Sequence, residues 1–169
     1  VSQQDFNGTT RYITGDIDFE TLSTTLRVNY TINPNLTIQY YGQPFIAKGK
    51  YTNFNYVKDP IAKDLGDRVQ MYNQEQISFQ EETYSVDEDQ DGITDYSFGK
   101  PDFAFAQYRS NLVVRWEYIP GSEIFFVWSQ GITGSGDADN NFDSIVDNQI
   151  LKQQPQNTFL IKATYRFVL

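Results

Sequence analysis

The 169-residue sequence contains no cysteine and no histidine. The lack of cysteine excludes a disulfide framework and a thiolate metal site, and the lack of histidine removes the most common general base and transition-metal ligand. No apolar run is long enough for a membrane-spanning helix, and residues 1–20 lack the regions of a signal peptide. Most catalytic schemes therefore lack their usual groups, and a helical membrane anchor is not expected.

The residues that are abundant favour strands and turns. Aromatic residues make up 16% of the chain, with 13 Phe and 12 Tyr against a single Met, and Thr, Asn and Gln are frequent. The composition therefore predicts an all-β fold. The net charge of -9 argues against nucleic acid as a partner and suits a solvated outer face or a divalent-cation site.

Apolar and polar side chains alternate in five segments, which predicts five strands. In the first segment Leu22, Leu26 and Val28 have one parity, while Arg27 and Asn29 have the other. These segments have about the length of a tilted transmembrane β-strand. The predicted strands lie near residues 21–32, 36–47, 103–118, 123–133 and 158–169.

Charged residues in these strands lie on the less apolar parity, as expected of side chains that face a water-filled lumen. They include Arg27, Arg109, Arg115, Glu117, Glu123, Lys162 and Arg166. The fourth strand alternates least cleanly, because Phe125 and Val127 lie on its polar side. A soluble β-sandwich produces the same alternation and remains the alternative.

The connections alternate strictly between short and long. Residues 33–35 and 119–122 form short turns, whereas residues 48–102 and 134–156 form long loops. Outer-membrane barrels have short periplasmic turns, long extracellular loops and a girdle of aromatic residues at the membrane surface. Such aromatic residues occur near the short turns, at Tyr30, Tyr40, Trp116, Tyr118, Phe126 and Phe167. The sequence thus predicts an antiparallel transmembrane β-barrel in a bacterial outer membrane, with extracellular loops 48–102 and 134–156. Alternation within the first loop predicts strand extensions at 51–56 and 76–84.

The final alternating residues, Tyr165, Phe167 and Leu169, resemble the C-terminal insertion signal that the barrel-assembly machinery reads. An ordinary last strand is the alternative. With the C-terminus in the periplasm, the long loops lie outside the cell. Five strands are fewer than the eight of the smallest single-chain bacterial barrels, so the chain is expected to be the C-terminal part of a barrel. Further strands are expected before Val1 or from partner subunits.

An acidic loop at Asp87, Asp89, Asp91, Ile93 and Asp95 predicts a calcium site. Carboxylates at every second position surround a hard cation, Gly92 allows the sharp turn, and Ile93 offers its carbonyl oxygen. The spacing resembles the first half of an EF-hand loop and, more closely, the calcium loops of thrombospondin-type repeats and dockerins. Phe98 replaces the glutamate at the twelfth EF-hand position. A solvated acidic turn without an ion is the alternative.

Two runs, Arg109-Ser110-Asn111-Leu112-Val113 and Arg115-Trp116-Glu117-Tyr118, together with Asp95-Tyr96-Ser97-Phe98, carry a family resemblance. They are similar to the C-terminal region of an uncharacterised Bacteroidota outer-membrane family. Its members pair an N-terminal carbohydrate-binding family 9-like module with a C-terminal barrel domain. The resemblance implies that the module and the first strands precede this chain, and it transfers no catalytic residue.

The expected function is that of a non-enzymatic surface barrel that supports glycan binding or uptake. Outer-membrane lipid is an expected partner, and other envelope proteins are candidates. One alternative is a structural subunit of an outer-membrane complex. Another is an outer-membrane hydrolase with paired carboxylates in its loops, although no acidic residue is singled out by an apolar setting.

Overall fold

The computed structural model describes residues 2–167, apart from the side chain of Leu65. Strands make up 64% of it and pair antiparallel, which confirms the all-β prediction. The strands are β1 Ser2–Phe6, β2 Thr9–Ser23, β3 Leu26–Asn33, β4 Leu36–Val57, β5 Val69–Met71, β6 Ile77–Gln80, β7 Thr83–Val86, β8 Tyr96–Gly99, β9 Phe103–Ile119, β10 Ser122–Gly136 and β11 Gln156–Thr164. The helical segments are α1 Leu65–Arg68, α2 Phe142–Val146 and a π-helical turn, Asp147–Leu151. Among residues 2–167, no helix has the length and apolar character needed to cross a membrane.

The chain divides into two compact units. Unit 1 comprises Val1–Phe19 and Gly49–Asp102, and unit 2 comprises Glu20–Lys48 and Phe103–Leu169. Strands β2 and β4 begin in one unit and end in the other, so each unit contains only part of these strands. With 22 residues, β4 is much longer than the predicted 36–47 segment and twice as long as a membrane crossing requires.

The first predicted strand, 21–32, is divided between β2 and β3 by a gap at Thr24 and Thr25. The gap lies opposite Pro44 of β4, where the amide of Thr24 donates to the carbonyl oxygen of Pro44 at 3.3 Å. Proline has no N–H with which to return a hydrogen bond, so the ladder is interrupted there. From Leu26 paired with Gly42, the strands continue in register to Thr31 paired with Thr37, and the register shifts just before the turn at Pro34.

The sheet of unit 2 has the order β3-β4-β9-β10-β11. Directly paired residues point to the same side of a sheet, and the register pairs apolar residues across every mapped strand pair. Tyr30 pairs with Ile38 between β3 and β4. Trp128 pairs with Leu112 on β9 and with Phe159 on β11. The apolar face of unit 2 therefore comprises Leu26, Val28, Tyr30, Ile32, Ile38, Tyr40, Leu112, Val114, Trp116, Tyr118, Ile124, Phe126, Trp128, Phe159, Ile161 and Ala163.

Beyond this apolar face, towards the long-loop ends of the strands, the sheet is covered by the helical segments. Ile145 and Ile150 pack with Ile46, Ala104 and Ala106 in a buried cluster. The side chain of Asn141 caps α2 by accepting from the amide of Ser144 at 2.8 Å. Gly134 permits a close approach, because a Cβ there would lie 2.9 Å from the carbonyl oxygen of Gln149. The 134–156 segment, predicted as a flexible loop, is thus helical from Phe142 to Leu151 and docked on the sheet.

A polar row, defined as Ser110, Gln130 and Asn157, crosses the sheet where the helical cover ends. Gln130 pairs in register with both other members. Its amide nitrogen donates to Oδ1 of Asn157 at 3.1 Å, and the hydroxyl of Ser110 donates to its Oε1 at 3.2 Å. The indole Nε1 of Trp128 also donates to Asn157, at 2.9 Å. The polar row therefore separates the covered part of the sheet from the apolar face.

The apolar face is exposed on the edge strands β3 and β11 and mostly half-buried on the strands between them. All eight residues of β3 are exposed, and so are all residues of β11 except Thr164. Among the exposed apolar side chains, the accessible fraction ranges from 45% at Val28 to 73% at Ile161. Residues 165–167, which follow β11, are not in a strand, which differs from the predicted 158–169 segment: Tyr165 and Phe167 are exposed, and Leu169 lies outside the described residues.

Unit 1 has its own aromatic core, built by β2, β4 and a second sheet, β6-β7-β8. The predicted strand extension at 51–56 lies within β4, whereas that at 76–84 is a hairpin of β6 and β7. Val86 is fully buried, and Phe54, Tyr84 and Phe98 form ring contacts with centroids 4.5 to 5.2 Å apart. The buried residues of the unit 1 core are Ile13, Phe54, Tyr72, Val86, Tyr96 and Phe98.

Candidate functional site

The opposite side of the unit 2 sheet, called the polar face, carries the charged residues of the strands. Arg27 pairs with Tyr41, and Arg109 pairs with Gly131. Phe125 pairs with Arg115 on one side and with Lys162 on the other. The register thus places most of the charges predicted to face a lumen on one side of the sheet, namely Arg27, Arg109, Arg115, Glu117 and Lys162.

Arg166 differs from this group because it lies beyond the end of β11. Its amide donates to the hydroxyl of Ser122 at 3.0 Å, which holds it against the short turn. Its aliphatic carbons pack on Gly121, whose Cβ position would lie 2.6 Å from Cδ of Arg166. Arg166 therefore helps to close the turn between β9 and β10.

Three of the cations within the strands of the polar face, Arg27, Arg115 and Lys162, have different partners. Arg115 is neutralised by hydrogen bonds to Glu123 and by Glu117, whose carboxylate lies 3.6 Å from its Nη2. The guanidinium of Arg27 lies 5.3 Å from the ring centroid of Tyr41. The ammonium of Lys162 lies 5.9 Å from the ring centroid of Phe125. Phe125, an exception to the predicted alternation, therefore makes a cation–π contact on the polar face.

Two cavities open on the polar face and share Asn111. The larger, of about 410 Å³, contains Arg109 as its single charged lining residue, with hydroxyl and amide groups around it. The smaller, of about 270 Å³, is lined by Arg27, Gln39 and Tyr41 among others. Both cavities are too small to enclose a macromolecule. The volume of the larger one falls within the usual range for small-ligand pockets.

The predicted calcium loop lies in unit 1. The carboxylates of Asp87, Asp89 and Asp95 offer oxygen atoms that all lie within 4.8 Å of one another. Asp91 is not in this group, and its carboxylate accepts from the amide of Ile93 at 2.8 Å. Ile93 is exposed.

Hydrogen bonds within the loop hold the carboxylates in place. Asp87 accepts from the amides of Asp91, at 3.1 Å, and Gly92, at 2.8 Å. Gly92 has φ +90°, a left-handed conformation that a side chain would strain. Asp95 accepts from the amide of Glu88 at 2.7 Å and so ties the two ends of the loop together. Desolvation and the charges of neighbouring carboxylates raise the pKa of Asp89.

Glu88 anchors the acidic loop to the core of unit 1, an arrangement that sequence reasoning missed. Its carboxylate accepts from Nε of Arg11 at 3.1 Å and from Nη2 at 2.8 Å, and only 8% of the glutamate side chain is accessible. Tyr96 donates its hydroxyl to the same carboxylate at 2.7 Å, and Tyr72 lies 2.9 Å from Tyr96. The guanidinium of Arg11 is also 4.8 Å from the ring of Tyr56.

This buried network affects the titration of its members. Burial raises the pKa of the Tyr72 phenol to about 12. Burial, with hydrogen bonds to Tyr72 and Glu88, raises the pKa of Tyr96 still further. The hydrogen bond to Glu88 raises the pKa of Arg11 above its usual value. The tyrosines are therefore neutral donors and acceptors across the physiological range.

A family model described as Domain of unknown function (DUF5916) matches residues 2–168. The chain belongs to the DUF5916 family. No curated protein and no solved structure matches it. In this DUF5916 chain the match covers the acidic loop as well as the unit 2 sheet, so both candidate sites lie within the family domain.

Proposed function

We propose that this DUF5916 chain is part of a β-barrel in a bacterial outer membrane and that it supports the binding or uptake of glycans. The observation that carries the proposal is the apolar face, which extends over the five strands of the unit 2 sheet and is exposed on its edge strands β3 and β11. Soluble monomers rarely expose contiguous apolar patches larger than a few hundred Å². A lipid bilayer gives such a face a favourable environment, while the polar face on the same strands suits a water-filled lumen.

The edges of the unit 2 sheet support this proposal. Within the described residues, β3 is paired only with β4, and β11 is paired only with β10. Unpaired strand edges are not tolerated in a bilayer, because their N–H and C=O groups find no water there. Further strands, from the same polypeptide or from a partner, would pair with these edges and close the barrel.

The proposed topology places the short turns at Pro34 and Pro120 in the periplasm and residues 48–102 and 134–156 outside the cell. The chemistry of the polar face supports a role with sugars. It offers amide, hydroxyl and charged groups in two adjoining cavities, which match the hydrogen-bonding groups of a glycan. The proposal includes the finer assignment to Bacteroidota and to proteins with a carbohydrate-binding family 9-like module.

The proposed function is tested with the complete gene product, folded in detergent and reconstituted into liposomes. We expect a compact gel band that shifts on boiling, because a closed barrel resists denaturing detergent until heated. We also expect the liposomes to swell in a solution of small oligosaccharides. A protein that shows no heat-dependent shift and remains soluble without detergent would instead favour the β-sandwich.

The open edges also favour a second candidate, a structural subunit of an outer-membrane complex. In that case the strands paired with β3 and β11 come from other envelope proteins. Mild detergent extraction followed by affinity purification distinguishes the two. A stoichiometric partner, present only when both edge strands are intact, supports the subunit, whereas a heat-modifiable single polypeptide supports the self-contained barrel.

We further propose that the acidic loop binds calcium. The donor set fits a hard cation, since Asp87, Asp89 and Asp95 supply only oxygen ligands within 4.8 Å of one another. Desolvation and the repulsion between neighbouring carboxylates raise the pKa of Asp89, and a divalent ion would offset that repulsion. Calcium there would rigidify the connection between β7 and β8.

Calcium titration by calorimetry tests this site. We expect binding in the micromolar to millimolar range and at least about a tenfold weaker affinity for Asp89→Asn, because one anionic ligand is lost. Asp89 is the suitable position, since its carboxylate makes only one hydrogen bond, a 3.2 Å contact from the amide of Asp91. Asp143→Asn, an exposed carboxylate outside the loop, is the matched control. No heat at millimolar calcium, or equal binding by both variants, contradicts the site.

A further inference from the structure

The polar face is cationic although the chain is strongly acidic. Its strands carry four cations, Arg27, Arg109, Arg115 and Lys162, against two carboxylates, Glu117 and Glu123. Both carboxylates lie beside Arg115, near the short turn. The larger cavity therefore has a positive charge without a carboxylate among its lining residues.

The lining of this cavity favours donors. Arg109 supplies the N–H groups of its guanidinium. The hydroxyl of Ser129 donates to Oδ1 of Asn111 at 2.6 Å, so the donor that Asn111 offers to a ligand is its amide nitrogen. Thr133 and Thr158 add hydroxyl groups. No aromatic ring lines the cavity, so recognition there depends on hydrogen bonds and charge rather than on ring stacking.

Gly131 forms the open floor of the cavity. It pairs in register with Arg109 on β9 and with Gln156 on β11, both of which line the same space. A Cβ built at Gly131 meets no atom within 4 Å. The cavity therefore exists because this position in the middle of three paired strands has no side chain.

We infer that the polar face binds an acidic oligosaccharide, with a sugar carboxylate held by Arg109 and Asn111. The inference rests on the proposed function and deepens it by naming the class of glycan. A guanidinium next to amide donors recognises a carboxylate through charge-assisted hydrogen bonds. The surrounding hydroxyl and amide groups match the sugar hydroxyls. Because Asn111 also lines the smaller cavity, a second sugar unit extends towards Arg27 and Tyr41.

Calorimetry on the complete protein in detergent, with trigalacturonate as the acidic probe and maltotriose as the neutral probe, tests the inference. We expect trigalacturonate to bind and maltotriose to bind at least about tenfold more weakly. Arg109→Gln is expected to weaken trigalacturonate binding about tenfold or more, because a hydrogen bond to a charged group is lost. Lys63→Gln removes the same charge at an exposed site in unit 1 and should leave the affinity within about twofold.

A second variant tests the cavity without removing charge. Gly131→Gln fills the space that its Cβ can enter freely, and we expect it to abolish binding while the protein still folds. Gly99→Gln is the matched control, since a Cβ there also meets nothing within 4 Å and the residue lies in unit 1.

Three results would overturn the inference: equal binding of the two probes, full affinity in Arg109→Gln, or no trigalacturonate binding by the wild-type protein. The proposed function is judged separately, by the heat-dependent gel shift and by liposome swelling. A barrel that inserts and conducts maltotriose but ignores trigalacturonate refutes the acidic ligand alone. A protein that neither inserts nor conducts refutes the proposed function as well.

Discussion

Ile161→Arg is expected to destabilise the proposed barrel by about 2–4 kcal/mol, the cost of an arginine on a lipid-facing side near the bilayer midplane. Ile161 lies in the middle of the apolar face, paired with Phe126, and 73% of it is accessible. Leu160→Arg places the same charge on the polar face one residue earlier and should cost far less. Urea titration of the heat-dependent gel shift in liposomes measures both.

The destabilisation caused by an arginine depends on its depth in a bilayer, and this dependence distinguishes a lipid-facing surface from a protein core. Ala163→Arg lies on the same face but closer to the short turn, beside Ile124, where an arginine can reach the membrane surface. In a bilayer we expect a cost of about 0–1 kcal/mol there, well below that of Ile161→Arg. Equal costs at positions 160 and 161, or no effect of depth, would contradict a lipid-facing apolar face.

Glu88→Ala is expected to destabilise unit 1 by about 1–3 kcal/mol, because it leaves the half-buried guanidinium of Arg11 without its counter-ion. It also removes the acceptor for the hydroxyl of Tyr96 and loosens the end of the acidic loop. Glu88→Gln keeps an acceptor for both donors and should cost less. Hydrogen exchange of the amides in β7 and β8 measures the change.

The matched control for this network is Glu82→Ala. Glu82 is an exposed glutamate with an ion-pair distance of 3.7 Å to Lys100, and its removal should cost less than about 1 kcal/mol. In a double-mutant cycle, Arg11→Ala combined with Glu88→Ala should lose less than the sum of the single changes. Additive losses, or similar effects of Glu82→Ala and Glu88→Ala, would show that the buried pair is not coupled.

The all-β class and the positions of the short turns could be predicted because their signals are local. Alternation has a period of two residues within one strand, and Asn33 marks its turn by accepting a hydrogen bond from the amide of Asn35 at 2.9 Å. Alternation alone does not show whether the apolar parities of different strands meet on one face. The pairing of Trp128 with both Leu112 and Phe159 supplies that information.

Features that depend on distant partners could not be predicted. The helical segment around Ile145 and Ile150 is stabilised by Ile46 and Ala104, which lie far away in sequence. The interruption of the first predicted strand depends on Pro44 in its neighbour. The sequence of the 134–156 segment begins with polar and glycine-rich residues, which indicate a loop rather than a helix. The sequence of residues 21–32 alternates without a break, which indicates a single strand.

The arrangement of the acidic loop could be predicted from the sequence only in part. Its spacing indicated five candidate ligands, yet the structure brings together only Asp87, Asp89 and Asp95. The sequence does not distinguish Glu88 from the other acidic residues of the loop, although Glu88 points into unit 1 and pairs with Arg11, 77 residues earlier. The alternation separates Glu88 from the aspartates on the other side of the loop. It does not show that Arg11, which is distant in sequence, lies on the side of Glu88.

In the proposed barrel, the polar row has a consequence for the thickness of the membrane that would suit this chain. Tyr118 lies eight positions after Ser110 on β9; at about 3.4 Å per residue and a strand tilt of about 40°, the two lie about 21 Å apart along the membrane normal. An average hydrocarbon core is about 30 Å thick, so hydrophobic mismatch would be large there. The bacterial outer membrane is thinner than average. The distance between the polar row and Tyr118 fits such a bilayer better than a thick one.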